Sequence, residues 1–507
     1  MIGVPVRLEG REAIAAHEPT MEEVPRQIGL YKRTPRYVKL ERPCLPGSGI
    51  RVLGEEQVRT CLLAFEAACA QGRVLKFIPA FGSASHLFKT LRPASEPSDV
   101  TRRGQRTHQA ENDHLIARDV LAFMDSLARF AFYDDLKGVM ARDGLAIDAC
   151  LDRGEYRAIL DYVVTERGLD YAALPTGLLK FHRYPSGTRT AFEEHLVEAA
   201  AYGRDGDGVC RLHFTVSPPH LGRFQQLLET VRPAYEVRYA ARFQVGFSTQ
   251  PPRTDTGAGD RDNQVFRPSG NGALIEDLHE LSGDVVFIKN IDNVVPDDQK
   301  GPAVHWKKVL GGYLAHVQRE VFRHLALLSA RSSPPAALRD ALHFARDVLW
   351  LRIPTHVAGA DGLRAFLIAK LDRPLRVCGV VRGEDKPGEG PFWVKGRDGT
   401  CTLQIVATAQ VDPDAPDQQA MLCAATYFNP VDLVCGVRDW RGKRFDLRRY
   451  IDPAAVCVSH TSSAGRALGA LEPCGLWNAA MADWNTIFVE VPAATFRPVK
   501  TVSDLLG

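Results

Sequence analysis

A chain of 507 residues, 45% hydrophobic and 24% charged, can bury one large core or two moderate ones and lies in the globular range. Its 63 Lys and Arg against 61 Asp and Glu leave a formal charge of +2, which argues against a broad cationic surface for nucleic acid or an anionic bilayer. The beginning of the chain lacks a signal-like apolar stretch and no run of about 18 apolar residues occurs, so a cytoplasmic protein with neither nucleic acid nor membrane as partner is expected.

Residues 1–70 mix charged and apolar residues at helical spacing and predict a helical region, clearest in VRTCLLAFEAACA. An α/β core is expected over residues 71–300. It opens on the strand Val74 to Pro79 (VLKFIP), which enters the small-residue turn Ala80 to Ser85 (AFGSAS). A strand, a Gly/Ser turn and a helix in succession present backbone N–H groups to a phosphate, so Gly82, Ser83 and Ser85 are candidate nucleotide contacts. The basic run TRRGQRT at 101–107 reads as a solvated loop.

A long helix is predicted from His114 to Val139 and another from Tyr156 to Glu166. Strands at Leu178 to Tyr184, Val209 to Val216, Val237 to Phe247 and Asp284 to Ile291 then alternate with helices at Phe192 to Tyr202, Pro219 to Thr230 and Leu274 to Leu281. Such alternation predicts a Rossmann-like α/β fold whose mixed, mainly parallel sheet is covered on both faces and binds ligand beyond the carboxyl ends of its strands. Helices near Val304 to Leu328, Pro335 to Leu349 and Asp361 to Leu371 are read as a helical insertion, 301–372, before a strand-rich region, 373–507, that completes the site. Eleven scattered cysteines without C-x-x-C pairs are read as reduced core residues.

Several polar motifs fall at the predicted strand ends. The turn containing Gly270, Asn271 and Gly272 precedes a helix and is either a backbone cradle for a ligand or an ordinary Asn-Gly turn. The apolar strand ending at Ile291 delivers Asp292 and Asn293 to its carboxyl end, where Asp292 is a hard-cation ligand for Mg²⁺ or a turn cap. Thr215 and Ser217 end another strand, Ser217 first of all as a helix cap. Gln250 ends a further strand, its amide offering one donor and one acceptor. Lys500, in the terminal F-R-P-V-K, supplies a point charge to phosphate or is a surface lysine. Glu193, Glu194, His195 and Glu198 have metal-compatible spacing but are read as a solvated helix face, and His182, His213 and His220 as core or rim residues.

The ordered set RPSGNGALIEDL, VFIKNIDNVVPD, DGTCTLQIV, Phe428-Asn429 and TFRPVKT is similar to the active-site motifs of UDP-N-acetylhexosamine pyrophosphorylases. From about Val74 to Gly507 the chain also resembles a bacterial family known as domain of unknown function 4301. FYDDLK, LPTGLLKFHRY, RTAFEEHLVEA, GPFWV and GLWNAAMADWNTIFVEVP carry that resemblance. It implies a nucleotidyltransferase fold of glycosyltransferase-A type. The similarity to the pyrophosphorylases further implies nucleotide contacts from Gly270, Asn271, Gly272, Gln250 and Asn429, a metal-binding Asp292 and a phosphate-binding Lys500, these last two being the candidate catalytic residues. Two departures stand out: the first turn reads Gly82-Ser83-Ala84-Ser85-His86, with His86 where those enzymes carry Arg, and Val406-Ala407-Thr408-Ala409-Gln410 lacks their sugar-gripping glutamates.

The expected activity is a Mg²⁺-dependent nucleotidyltransferase whose partners are a nucleoside triphosphate, UTP first, and a sugar phosphate. The alternatives are a nucleotide-sugar-binding protein without turnover and a glycosyltransferase. Sequence leaves the oligomeric state open.

Overall fold

The computed structural model describes residues 37–89, 91, 118–249, 256–260, 263–267, 274–331, 334–355, 357–383, 389–396, 399–429, 432–452, 456–463, 466–473 and 475–506. Its centre is one large mixed sheet. Across it the strands run Leu45–Pro46, Gly49–Arg51, Asn485–Glu490, Leu375–Arg382, Asp432–Gly436, Val285–Lys289, Val74–Pro79, Val209–Val216 and Arg242–Thr249. Asp432–Gly436 is antiparallel to both its neighbours, the other pairings along this order are parallel, and the short strand Tyr427–Phe428 adds antiparallel to the end of Leu375–Arg382.

Covering on both faces explains the nearly unbroken apolar runs VLKFIP and VVFIK, every residue of which is buried. Val74, Val285 and Phe287 pack towards helices Glu55–Ala70 and Lys300–Ser329. Leu75, Phe77, Val286 and Ile288 pack the other way, with helix Leu274–Glu280, Trp477 and a side sheet of Leu40–Pro43, Glu389–Lys395 and Cys401–Ala407. The large helices cross so closely that a Cβ placed on Gly312 would stand 1.7 Å from Cys61 O.

Under the sheet lies a buried charge network. Glu198, on helix Ala191–Tyr202, receives Lys76 at 3.2 Å and Lys289 at 2.8 Å from two adjacent strands, with Lys307 of the long helix at 3.8 Å. Lys307 also pairs with Asp432 at 2.5 Å, at the start of the antiparallel strand. Burial pulls the Lys76 ammonium down to about 7, Glu198 opposing. The E-E-H-x-x-E run read as a solvated face is therefore buried, with Glu193, Glu194, His195 and Glu198 each at 7% exposure or less. The counter-charges of Glu194 and Glu198 come from other elements, which helical spacing does not reveal, while Glu193 closes a capping box with Thr190.

Other expectations are corrected by packing. Residues 40–51 are short strands joining both sheets, and the expected N-terminal helical region is helix at Glu55–Ala70, residues 1–36 lying outside the described part. The helix expected from His114 to Val139 breaks: residues 118–125 are helical, and Tyr133–Arg142 is a separate helix. Phe130 stacks on Phe132 at 5.0 Å and packs tilted against Phe123 at 5.1 Å, and burying residues two apart is incompatible with one continuous helical face. The helix after Ser217 continues to Tyr239 with Pro233 inside it and ends at Ala240, φ 46°, so the strand expected at Val237 begins at Arg242. Helix Lys300–Ser329, within the expected helical insertion, packs on the sheet that the carboxyl-terminal strands complete. Eight cysteines are buried and free among the described residues, and Cys423 is exposed.

Gly312→Ala is expected to force apart helices Glu55–Ala70 and Lys300–Ser329 and to destabilise the protein by roughly 1–3 kcal/mol or more. A urea midpoint unchanged from wild type would show that the crossing is not tight.

Candidate functional site

After Val74–Pro79 the chain builds Val209–Val216 and Arg242–Thr249 to one side, then returns to place Val285–Lys289 on the other. The sheet therefore has a topological switch point between Val74–Pro79 and Val285–Lys289, where the loops leaving the two strands diverge and open a crevice. One wall is the turn from Ala80, the other the turn through Asp292.

The first wall is fastened from behind. Ala84 N donates to Leu174 O at 2.9 Å, and Thr176 N donates to Gly82 O at 3.1 Å. Ser83 Oγ donates to Ala172 O and accepts from Ser85 N, both at 3.2 Å, so it caps the following turn. Gly82 is exposed, and a Cβ built on it meets nothing within 4 Å. Gly82 leaves an open approach, whereas Ser83 and Ser85 are engaged with each other. His86 turns its Nδ1 back to Ser83 O at 3.0 Å.

The second wall carries Asp292, 7% exposed. Its loop is pinned at both ends. His195 Nε2 meets Ile291 O at 3.2 Å, and burial first of all holds this imidazole well below its usual value, so the neutral ring donates. Further on, Asp297 takes Arg189 bidentately at 2.7 and 2.9 Å and Lys300 at 2.9 Å. Burial raises the Asp297 carboxyl, but these bonds outweigh it and bring it down to about 2. Glu194, fully buried, receives His182, Tyr184 and Lys300 in the same cluster.

The carboxyl-terminal tail joins the walls. Val499 N donates to Asp292 O at 3.0 Å, and Val502 N donates to Leu87 O at 3.2 Å. Val499, Val502 and Leu505 anchor it in the core. Lys500 Nζ, on a side chain 57% exposed, reaches Asp292 Oδ2 at 2.7 Å. Asp292 Oδ1 and Asn293 Nδ2 are buried and have no hydrogen-bond partner among the described residues. An orphaned carboxylate oxygen is a donor suited to Mg²⁺, which commonly takes one or two carboxylates and completes its shell with phosphate and water. Among the described residues no three His, Cys, Asp or Glu side chains gather as a metal cluster.

Asn429 is buried; Nδ2 donates to Gly379 O at 2.8 Å and its N–H to Glu389 O at 2.9 Å, tying the central sheet to the side sheet. Gln250, Gly270, Asn271 and Gly272 lie outside the described residues. Thr215 is fully buried and binds inward: its Oγ1 lies 3.0 Å from Asp277 Oδ2 and 3.1 Å from Ser248 Oγ. Sequence reasoning missed Asp277, although it sits inside the RPSGNGALIEDL motif. Burial pushes its carboxyl up to about 6, against the hydrogen bonds from Thr215 and Ser248.

Together the elements define a mixed α/β protein whose sheet has a switch point, the position at which open α/β sheets bind ligands. The chain belongs to the family described as "Domain of unknown function (DUF4301)", whose model matches residues 8–507. Among curated proteins no match to the chain was found. Solved structures similar to it include the uridine diphosphate N-acetylglucosamine pyrophosphorylase of Trypanosoma brucei bound to an inhibitor: 12% identity, 96% of this chain and 74% of that one covered, TM-score 0.43. A Trypanosoma brucei UDP-glucose phosphorylase matches at 13% identity over 98% and 76% of the two chains, TM-score 0.43. A Leishmania major UDP-glucose pyrophosphorylase variant in complex with UDP-glucose matches at 12% over 98% and 76%, TM-score 0.40. Similarity at this level assigns no residue role to the chain. No helix among the described residues is long and apolar enough to cross a membrane.

Because the folded Asp277 carboxyl titrates near 6, above its unfolded value, the native state holds the extra proton between about pH 4 and 6 and loses relative stability as pH rises through that window. Asp277→Asn is expected to match wild type near pH 4 and to exceed it above pH 7 by up to about 3 kcal/mol. Urea unfolding at both pH values decides; an equal offset at both would refute the shift.

Proposed function

We propose that the protein is a Mg²⁺-dependent nucleotidyltransferase that joins a nucleoside triphosphate, with UTP as the expected one, to a sugar 1-phosphate. The observation that carries this reading is the docked tail, which sets Lys500 against Asp292 at the switch point while Asp292 Oδ1 stays buried and without a partner among the described residues. A cation, an orphaned hard oxygen and an open backbone approach at Gly82 suit a phosphate chain.

In the reaction a phosphate oxygen of the sugar phosphate forms a bond to the α-phosphorus. The bond from that phosphorus to the bridging oxygen of the β-phosphate breaks, and pyrophosphate leaves with the electron pair. Such chemistry asks for alignment and charge neutralisation and needs no nucleophilic side chain. Mg²⁺, when bound, would neutralise phosphate charge beside Asp292. Asp292 would hold it through Oδ1, and Lys500, released from Oδ2, would turn its ammonium to phosphate oxygens. The pinned Ile291 to Asp297 loop fixes the carboxylate before substrate arrives, which limits the reorganisation needed.

The test is pyrophosphate release with Mg²⁺, each of four NTPs and a panel of sugar 1-phosphates. Release with one NTP is expected, falling at least about 100-fold in Asp292→Asn, by analogy with the loss of one charge-stabilising group. Lys500→Ala is expected to weaken NTP and pyrophosphate binding more than sugar phosphate binding. Wild-type rates in Asp292→Asn would make Asp292 a structural cap.

His86 favours a second reading, a nucleotide-sugar-binding protein without turnover, since its ring folds onto Ser83 O and provides no bidentate fork to a triphosphate. His86→Arg should then tighten NTP binding by roughly 1–3 kcal/mol without producing turnover. Unchanged binding, measured by calorimetry, would remove the Gly82 turn from the phosphate site.

A further inference from the structure

Neither oxygen of Asp292 is open to an ion arriving from solution. Oδ1 is buried, without a partner among the described residues, and Oδ2 holds the Lys500 ammonium at 2.7 Å. The Asp292 side chain is 10% exposed and that of Lys500 57%, so the ammonium stands on the solvent side of the pair. A cation that is to bind Asp292 has first to take the place of the one already there.

The lysine can leave without the tail. Backbone contacts clamp the chain on both sides of residue 500. Val499 N donates to Asp292 O at 3.0 Å, Lys500 N and Thr501 N donate to Asp504 Oδ2 at 2.9 and 2.7 Å, and Val502 N donates to Leu87 O at 3.2 Å. Arg497 Nη1 donates to Gln299 Oε1 at 2.6 Å, and Val499, Val502 and Leu505 sit in the core. None of these contacts uses the Lys500 side chain, whose flexible four-carbon stem turns about its own bonds. An ion pair with one exposed partner contributes little to stability, so opening it costs the fold little.

Two obstacles face a divalent ion acting alone. Mg²⁺ completes its shell with phosphate oxygens and water around one or two carboxylates, and among the described residues no group of three His, Cys, Asp or Glu offers it other ligands. It also has to displace an ammonium or stand beside it against Coulomb repulsion. A phosphate chain removes both obstacles, because its oxygens draw the ammonium from Oδ2 and supply the ligands the protein lacks. We propose that the Lys500–Asp292 pair is an autoinhibitory latch: the ammonium keeps divalent ions off Asp292 until a ligand bearing a phosphate chain draws it away. Metal and phosphate ligand then bind with positive, reciprocal coupling. This rests on the reading of Asp292 as a metal ligand and of Lys500 as a phosphate contact.

The full-length protein, freed of metal, is titrated with Mn²⁺ as the probe, with and without UDP. Bound ion is read by water-proton relaxation, which separates ion on the slowly tumbling protein from ion on free UDP. Wild type is expected to bind Mn²⁺ about tenfold to a hundredfold more tightly with UDP than alone, within the usual span for coupled sites. Lys500→Gln, which removes the charge at an exposed position, is expected to tighten Mn²⁺ alone by about tenfold or more and to weaken UDP. The gain should vanish when Asp292→Asn is added. A lysine that only supports the site would shift metal affinity the other way or leave it unchanged. Unchanged or weaker Mn²⁺ binding by Lys500→Gln, or a gain that persists with Asp292→Asn, therefore overturns the latch, while UDP-dependent Mn²⁺ binding by wild type keeps the metal reading. Lys500→Met gives the same decision if Lys500→Gln does not fold, as judged by circular dichroism. Protein-bound Mn²⁺ in no variant, with or without UDP, overturns the metal reading and the latch together.

Discussion

Glu198 is the point at which the elements of this protein are tied together electrostatically. Its carboxylate sits on one helix and receives lysines from two adjacent strands, while Lys307 carries the network across to the long helix and on to Asp432. Three lysines face two carboxylates, and with Lys76 drawn down to about 7 the balance approaches neutrality at physiological pH. Removing one partner of such a network would leave an uncompensated charge in a medium that solvates it poorly, at a cost of about 3–5 kcal/mol. The network ties strand Asp432–Gly436 to the long helix through Lys307, with Val285–Lys289 lying between that strand and Val74–Pro79.

That placement sets the position of the candidate site. With Val285–Lys289 on one side of Val74–Pro79 and Val209–Val216 on the other, the loops at their carboxyl ends part and the crevice opens. His195, on the same helix as Glu198, reaches Ile291 O, so the buried charge network and the loop bearing Asp292 share one support. The tail then spans the crevice wall to wall, from Asp292 O to Leu87 O. Rigid backing with an open front is the arrangement in which a charged ligand can be held without reorganising its host.

Much of this was legible residue by residue. Val209–Val216 spans the range predicted for it, and Val285–Lys289 falls inside the strand expected from Asp284 to Ile291, with Asp292 in the turn beyond it. Lys500 was legible as a candidate from its motif, although nothing in the motif shows that its partner is Asp292, 208 residues earlier. Asp277 was not legible, because it depends on neighbours from distant strands, Thr215 and Ser248. The long expected helix around Ser126 failed for a related reason, since three phenylalanines were needed by one core at once.

What the sequence by itself determined was local: strands apolar enough to be covered on both faces, and polar residues delivered at their ends. Those follow from side-chain periodicity and hydrophobic burial, which act over a few residues. The order of the strands, the inverted entry of Asp432–Gly436, the burial of Glu193 to Glu198 and the docking of the tail were decided only in the tertiary structure. Each requires that charges or hydrogen-bonding groups far apart in the chain satisfy one another once water is excluded, and no local pattern encodes which of them will meet.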